Sequence, residues 1–254
     1  METPVIDFHT HSGRWGNTAV FDDPKRYIEI MDAAGVDRAN INCIFHSDAS
    51  KGNNIVAERF VSQYPDRFIG VAFVTPHYPE EAIPELERAF NVLNLRSLKV
   101  YPTYYGKPID DPGYFPIFEW CNDRGITLMS HSSHGPADDG LTIPTSFIPL
   151  AQRYTNMKWV LAHSGNGRPG QELAVQAAQA CPNIYLETCS SFADHKTVDF
   201  LVEGAGEDRV LFGSDMPLMD ARAMVGRIVT SGISEQAKRK VLGLNALKVL
   251  GLDD

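Results

Sequence analysis

Eight short apolar, β-branched runs recur along the chain, at 4–9, 38–45, 68–74, 95–101, 126–131, 157–163, 183–188 and 209–214. Each is too short and too β-branched to read as a helix. Helical patterns separate most of them. They cover 24–34, 51–64, 79–93, 113–124, 145–154, 170–180 and 194–204, and two more, 220–230 and 234–250, follow the last run. Strict alternation of strand and helix implies parallel strands joined by right-handed crossovers. Eight such units in 254 residues fit an α/β fold of one closed (β/α)8 TIM barrel, a single domain over residues 1–254. The competing architecture, an open doubly wound sheet, usually places a glycine-rich turn after its first strand. Here that strand ends in His9-Thr10-His11-Ser12-Gly13 instead.

Composition narrows the partners. The net charge is −9 and the acidic excess is spread along the chain without a basic block. Nucleic acids and anionic membranes reward clustered Lys and Arg, so neither is an expected partner. No apolar run approaches the roughly 20 residues that span a bilayer. The opening Met-Glu-Thr-Pro is acidic and runs into a strand, which is not the pattern of a signal peptide. Cys43, Cys121, Cys181 and Cys189 form no C-x-x-C pair, so buried thiols in a reducing cytoplasm are expected. The expected partner is a small-molecule substrate, and a homodimer is compatible with that.

A barrel of this kind works at the C-terminal ends of its strands. Four of the 8 histidines lie there: His9 and His11 on the first strand, His131 on the fifth and His163 on the sixth. His9 and His11 are two apart, so both rings point to one side and can grip one divalent ion. Composition alone yields an H-x-H about 0.25 times in such a chain, so the pair needs support. His131 and Asp215 supply it, because each ends an apolar run whose inward positions precede it by two and four. That collects nitrogen and oxygen donors of the kind Zn²⁺ takes. Asp215 in Ser214-Asp215 would also suit a helix N-cap. His163 has three possible roles: ligand, general base or polarising imidazole. Lys99 within Leu98-Lys99-Val100-Tyr101 must reach the mouth, snorkel or pair, with Glu187 as its candidate partner. In the loop after the first strand, Arg14 could hold a substrate carboxylate and Trp15 wall the pocket. His46, His77, His134 and His195 read as loop or surface histidines, with His134 the one whose loop should overhang the mouth.

In this order the motifs resemble the amidohydrolase superfamily: H-x-H, strand-end histidines five and six, and Gly213-Ser214-Asp215-x-Pro217. More narrowly the chain resembles the amidohydrolase-related (amidohydrolase 2) family. Three further stretches carry that likeness: Pro65–Val71, Leu98–Pro102 and Asp110–Glu119. The resemblance implies a metal-bearing barrel in which His9, His11, His131 and Asp215 hold one Zn²⁺ or similar ion and His163 assists catalysis. Lys99 matches a position that other branches carboxylate to bridge two metals. The modest ligand count here favours one metal, with Lys99 and Tyr101 facing the substrate. Family members include hydrolases, lactonases and non-oxidative decarboxylases. The leading expectation is a metal-dependent hydrolase of a small amide, ester or lactone, with Asp215 taking the proton of a metal-activated water. The alternative is a decarboxylase of a small aromatic or unsaturated acid, and a non-catalytic metal-binding barrel is a third possibility.

Overall fold

The computed structural model describes residues 3–13, 23–45, 48–135, 138–190 and 196–252. Eight strands form one all-parallel sheet in the order of the chain. They are β1 (Ile6–His11), β2 (Arg38–Asn42), β3 (Phe68–Phe73), β4 (Ser97–Val100), β5 (Thr127–Ser133), β6 (Lys158–Gly165), β7 (Ile184–Glu187) and β8 (Val210–Leu211). Each overlaps an expected run. The last is much shorter than expected, because beyond Leu211 the chain pairs through single bonds rather than a ladder. These bonds join the two ends of the sheet. Phe8 N–H donates to the Phe212 carbonyl at 2.9 Å, His11 N–H to Met216 at 2.8 Å, and Asp215 N–H to His9 at 2.8 Å. The (β/α)8 TIM barrel is thereby confirmed.

The helices satisfy local rules. Helix Pro24–Ala34 opens on Asp23, whose carboxylate accepts from Lys25 N–H, and stops at Gly35 with φ of 70°. Two expected helices are interrupted by wider π turns, at Val56–Val61 and Lys240–Leu244. The second lies where the chain start presses on it: a Cβ at Gly243 would sit 1.7 Å from the Pro4 carbonyl oxygen. A short helix, Pro102–Tyr105, follows β4 and was not expected. Among the described residues no helix is long and apolar enough to cross a membrane.

Two apolar layers result. Trp159 and Leu161 of β6 pack outward against the helices. Val160 and Ala162 point inward and join Ile6, Phe8, Ile69, Met129 and Leu211, with Ala246 and Val249 of the last helix in the same cluster. The inward positions expected before His131 and Asp215 include Met129 and Leu211, and both lie in this interior layer.

Simple alternation fails at two places. Ile6 and Phe8 face inward, so His9 would face outward if the pleat continued. The β1–β2 register shifts between Asp7 and Thr10 and restores His9 and His11 to the interior. Val160 and Ala162 face inward, so the same argument would send His163 outward. Here the β5–β6 register shifts after His131, and His163 has a φ of 64°.

Candidate active site

Three donor atoms converge at the mouth of the barrel. His9 Nε2 and His11 Nε2 are 3.1 Å apart. Asp215 Oδ1 lies 3.0 Å from His11 Nε2 and 3.6 Å from His9 Nε2. Ligands held at about 2.0–2.2 Å from one ion are separated by roughly 3.0–3.6 Å, so this triangle fits a single divalent cation. All three side chains are buried. Two further groups of compatible donors overlap it: His9, His163 and Glu187, and His163, Cys189 and Asp215.

His131 stands one step away. Its ring lies 4.9 Å from that of His163 and is stacked on Tyr101 at 4.8 Å, but it joins none of the compact donor groups. Its Nδ1 is buried without a hydrogen-bond partner among the described residues. An unpaired imidazole nitrogen at the edge of the cluster fits a fourth ligand drawn in by a cation.

The electrostatics favour cation binding. Burial, with the nearby Lys99, His11, His163 and His131, holds His9 well below the ordinary histidine range. Burial together with His163, Lys99 and His11 does the same to His131. Burial takes His163 down to about 4 against the pull of Asp215. These rings are therefore neutral bases at physiological pH, the form that ligates metals. Burial pushes Asp215 up, but the hydrogen bond and charge of His11, with His163 and Lys99, more than offset it and keep the carboxyl ionised.

Lys99 is fully buried, and burial lowers it to about 8 against the attraction of Asp215 and Glu187. It does not pair directly with Glu187. Instead the two bracket the His9 ring, Lys99 Nζ lying 3.0 Å from Nε2 and Glu187 Oε2 2.9 Å from Nδ1. Tyr101 is buried, and burial raises its phenol strongly, so it remains a hydrogen-bond donor. Tyr104 stacks on it at 4.0 Å, and Phe45 lies 5.8 Å from the His11 ring, giving the mouth an aromatic side.

Asp7 and Glu187 are buried acids that sequence reasoning did not assign to the site. Asp7 Oδ1 accepts from His9 N–H at 3.1 Å and Ser214 N–H at 2.9 Å, joining the two ligand-bearing ends. Burial raises Asp7 to about 7 and raises Glu187 as well, against their backbone donors. The available signal was an acid inside an apolar run, the criterion that singled out Lys99. Of the remaining histidines, His77 Nε2 meets the Tyr105 carbonyl at 2.9 Å in a loop. His134 is half-buried outside the donor groups. Arg14, Trp15, His46 and His195 lie outside the described residues.

The amidohydrolase family model matches residues 6–252. The chain belongs to the amidohydrolase family. It is 30% identical over 230 residues to the 2-amino-3-carboxymuconate-6-semialdehyde decarboxylase of Dictyostelium discoideum. That match covers 76% of this chain and 64% of the relative, so the amidohydrolase-family chain spans somewhat under two-thirds of the relative's length. The fold is similar to that of 2,6-dihydroxybenzoate decarboxylase from Rhizobium, with a TM-score of 0.81, 17% identity and full coverage of both chains. It is also similar to a dihydroxybenzoic acid decarboxylase from Polaromonas sp. JS666 with bound manganese and 2-nitroresorcinol. There the TM-score is 0.76 at 18% identity, covering 100% of this chain and 98% of that one.

These relatives overturn the hydrolase expectation, because the similar proteins are decarboxylases. The physical reason is that the motif set identifies a metal-binding mouth, not a reaction. A cation held by the same donors could ready a water for attack on a carbonyl or bind the oxygens of a carboxylic acid that loses CO2.

Proposed function

We propose that this chain is a metal-dependent, non-oxidative decarboxylase of a small aromatic or unsaturated carboxylic acid. The carrying observation is its 30% identity to a decarboxylase, read together with a buried N,N,O donor triangle beside a buried lysine. His9, His11 and Asp215 would hold one divalent ion, Zn²⁺ or Mn²⁺, with His131 as the fourth ligand. When bound, that ion supplies a Lewis acid for substrate oxygens.

The chain's own groups do the rest. Lys99, in its ammonium form, binds substrate anionic oxygen where burial strengthens the attraction. Tyr101 donates its phenolic proton to a second oxygen. The aromatic side formed by Phe45, Tyr101 and Tyr104 suits a flat, conjugated substrate. His163 Nδ1 faces the Cys189 carbonyl at 3.3 Å and donates to it, which leaves Nε2 as an acceptor for a substrate hydroxyl. In the reaction the C–C bond to the carboxylate breaks, CO2 departs and the electron pair stays on the former α-carbon. Asp215, ionised at rest, first takes up a proton from the substrate or solvent, then delivers it to that carbon and returns to its ionised form.

Turnover in D2O tests this. The expected products are CO2 and a compound carrying one new C–D bond at the carbon that bore the carboxylate. Water incorporation with no CO2 would sink the proposal. So would a fully metal-loaded protein that turns over no member of a panel of aromatic and muconate-type acids.

A further inference from the structure

Glu187 is the last residue of β7, buried, and its carboxylate gathers three N–H groups. Oε2 accepts from His9 Nδ1 at 2.9 Å and from His163 backbone N–H at 3.1 Å, while Oε1 accepts from Cys189 N–H at 2.5 Å. The opposite nitrogen of His9 receives Lys99 Nζ at 3.0 Å. An ammonium only donates, so Nε2 offers its lone pair and the ring proton sits on Nδ1.

The reach of Glu187 to His9 depends on a missing side chain. A Cβ at Gly213, just beyond β8, would lie 2.3 Å from Glu187 Oε1, 2.7 Å from its carboxyl carbon and 2.8 Å from His9 Cβ. The carboxylate therefore crosses the end of β8 through space that only glycine leaves open.

We propose that Glu187 is a positioning residue for the metal centre. It reaches over Gly213, fixes His9 in the Nδ1–H form with Nε2 aimed at the cation site, and ties that ring to the backbone of His163. A ligating histidine generally needs such an outer partner for tautomer and orientation, and losing it typically costs about 10–100-fold in metal affinity. The inference rests on the reading of His9 as a metal ligand, but its first readout does not require metal.

Nitrogen-15 NMR of the metal-free wild-type protein, labelled at histidine and assigned with His9→Gln, should show His9 protonated at Nδ1 and bare at Nε2. Glu187→Gln keeps the size but turns an NH2 group towards backbone donors. It should mix the His9 tautomers and weaken binding of Zn²⁺ or Mn²⁺ by about 10–100-fold in a chelator competition. Gly213→Ala should reproduce the loss by displacing the carboxylate. Thermal unfolding of the metal-free variants separates lost folding from lost positioning. An Nε2–H form in the wild type overturns the proposal, whatever the fate of the variants. So does a folded Glu187→Gln with the wild-type tautomer and metal affinity within about twofold of wild type. A wild type with the expected tautomer that binds neither ion would overturn the metal reading and still support the fixing of His9 by Glu187.

Discussion

Replacing Lys99 with Met should make the metal-free protein more stable and the enzyme worse. Lys99 is fully buried, and burial carries its pKa from 10.5 down to about 8 even with Asp215 and Glu187 attracting the charge. One pKa unit corresponds to about 1.4 kcal/mol, so keeping Nζ protonated in the folded state at neutral pH costs about 3 kcal/mol relative to the unfolded chain. The sign follows from which state holds the proton. Between pH 8 and 10.5 the folded chain has released it and the unfolded chain has not, so stability rises with pH across that window. Below pH 8 the full cost applies, and above 10.5 it is gone. Methionine fills similar space without charge and gives up the contact with His9 Nε2, a loss of about 1 kcal/mol. The net gain at pH 7 is about 2 kcal/mol, which for a chain of this size raises Tm by about 4–8 °C. At pH 10.5 and above, the gain should disappear and turn into a small loss. Substrate affinity should fall by about 10–100-fold, the value of a lost charge-assisted hydrogen bond. Thermal unfolding of metal-stripped wild type and variant at both pH values, with KM measured on the loaded proteins, checks each part. A lower Tm at pH 7, or a shift that is the same at both pH values, would refute the reasoning.

Three other perturbations probe the frame and the site. His11→Ala removes one corner of the donor triangle and should weaken Zn²⁺ or Mn²⁺ binding by more than about 100-fold, read by metal analysis after dialysis; wild-type metal content would dismiss the ligand assignment. Asp215→Asn keeps an oxygen donor but cannot carry the proton, so turnover should drop by about 100- to 10,000-fold while metal affinity falls far less; near-normal kcat would leave Asp215 a ligand with no part in proton transfer. Gly170→Ala would place a Cβ 1.7 Å from the Gly165 carbonyl oxygen, a backbone contact that cannot swing aside, and should cost about 3 kcal/mol in a denaturant melt. A melt within error of wild type would show that the end of β6 can retreat from its helix freely.

The barrel was legible because the repeated βα period leaves few alternatives and each strand run is bounded by turn chemistry. His9, His11 and Asp215 were legible because a polar residue closing an apolar run needs a reason to be there. Glu187 and Asp7, acids inside apolar runs, raise the same question, but what they do depends on which strands approach across the barrel. Asp7 finds Ser214 N–H 207 positions away, and Glu187 finds His9 178 positions away. No local pattern encodes such contacts. The reaction type was not legible for a chemical reason: the donor set is common to hydrolysis and decarboxylation.

The exceptions to alternation fall where the site is. An unbroken pleat would have turned His9 and His163 away from the interior, and both are recovered by register shifts. His163, Ser164 and Asp215 all adopt positive φ, at 64°, 46° and 59°, a conformation that costs non-glycine residues energy unless neighbours enforce it. The neighbours are identifiable. His163 N–H is held by Glu187 Oε2, Ser164 Oγ donates to the Glu187 carbonyl at 2.7 Å, and Asp215 N–H is held by the His9 carbonyl. The residues that enforce the strained backbone are thus those that orient the donors, Glu187 at the sixth and seventh strands and His9 at the seam. Local strain and metal geometry are coupled through the same few bonds, so a substitution that relaxes the backbone at β6 or after β8 should also misplace a donor atom. Bulges gather at barrel rims beside active sites for this reason: they let one strand end present consecutive side chains to the same space.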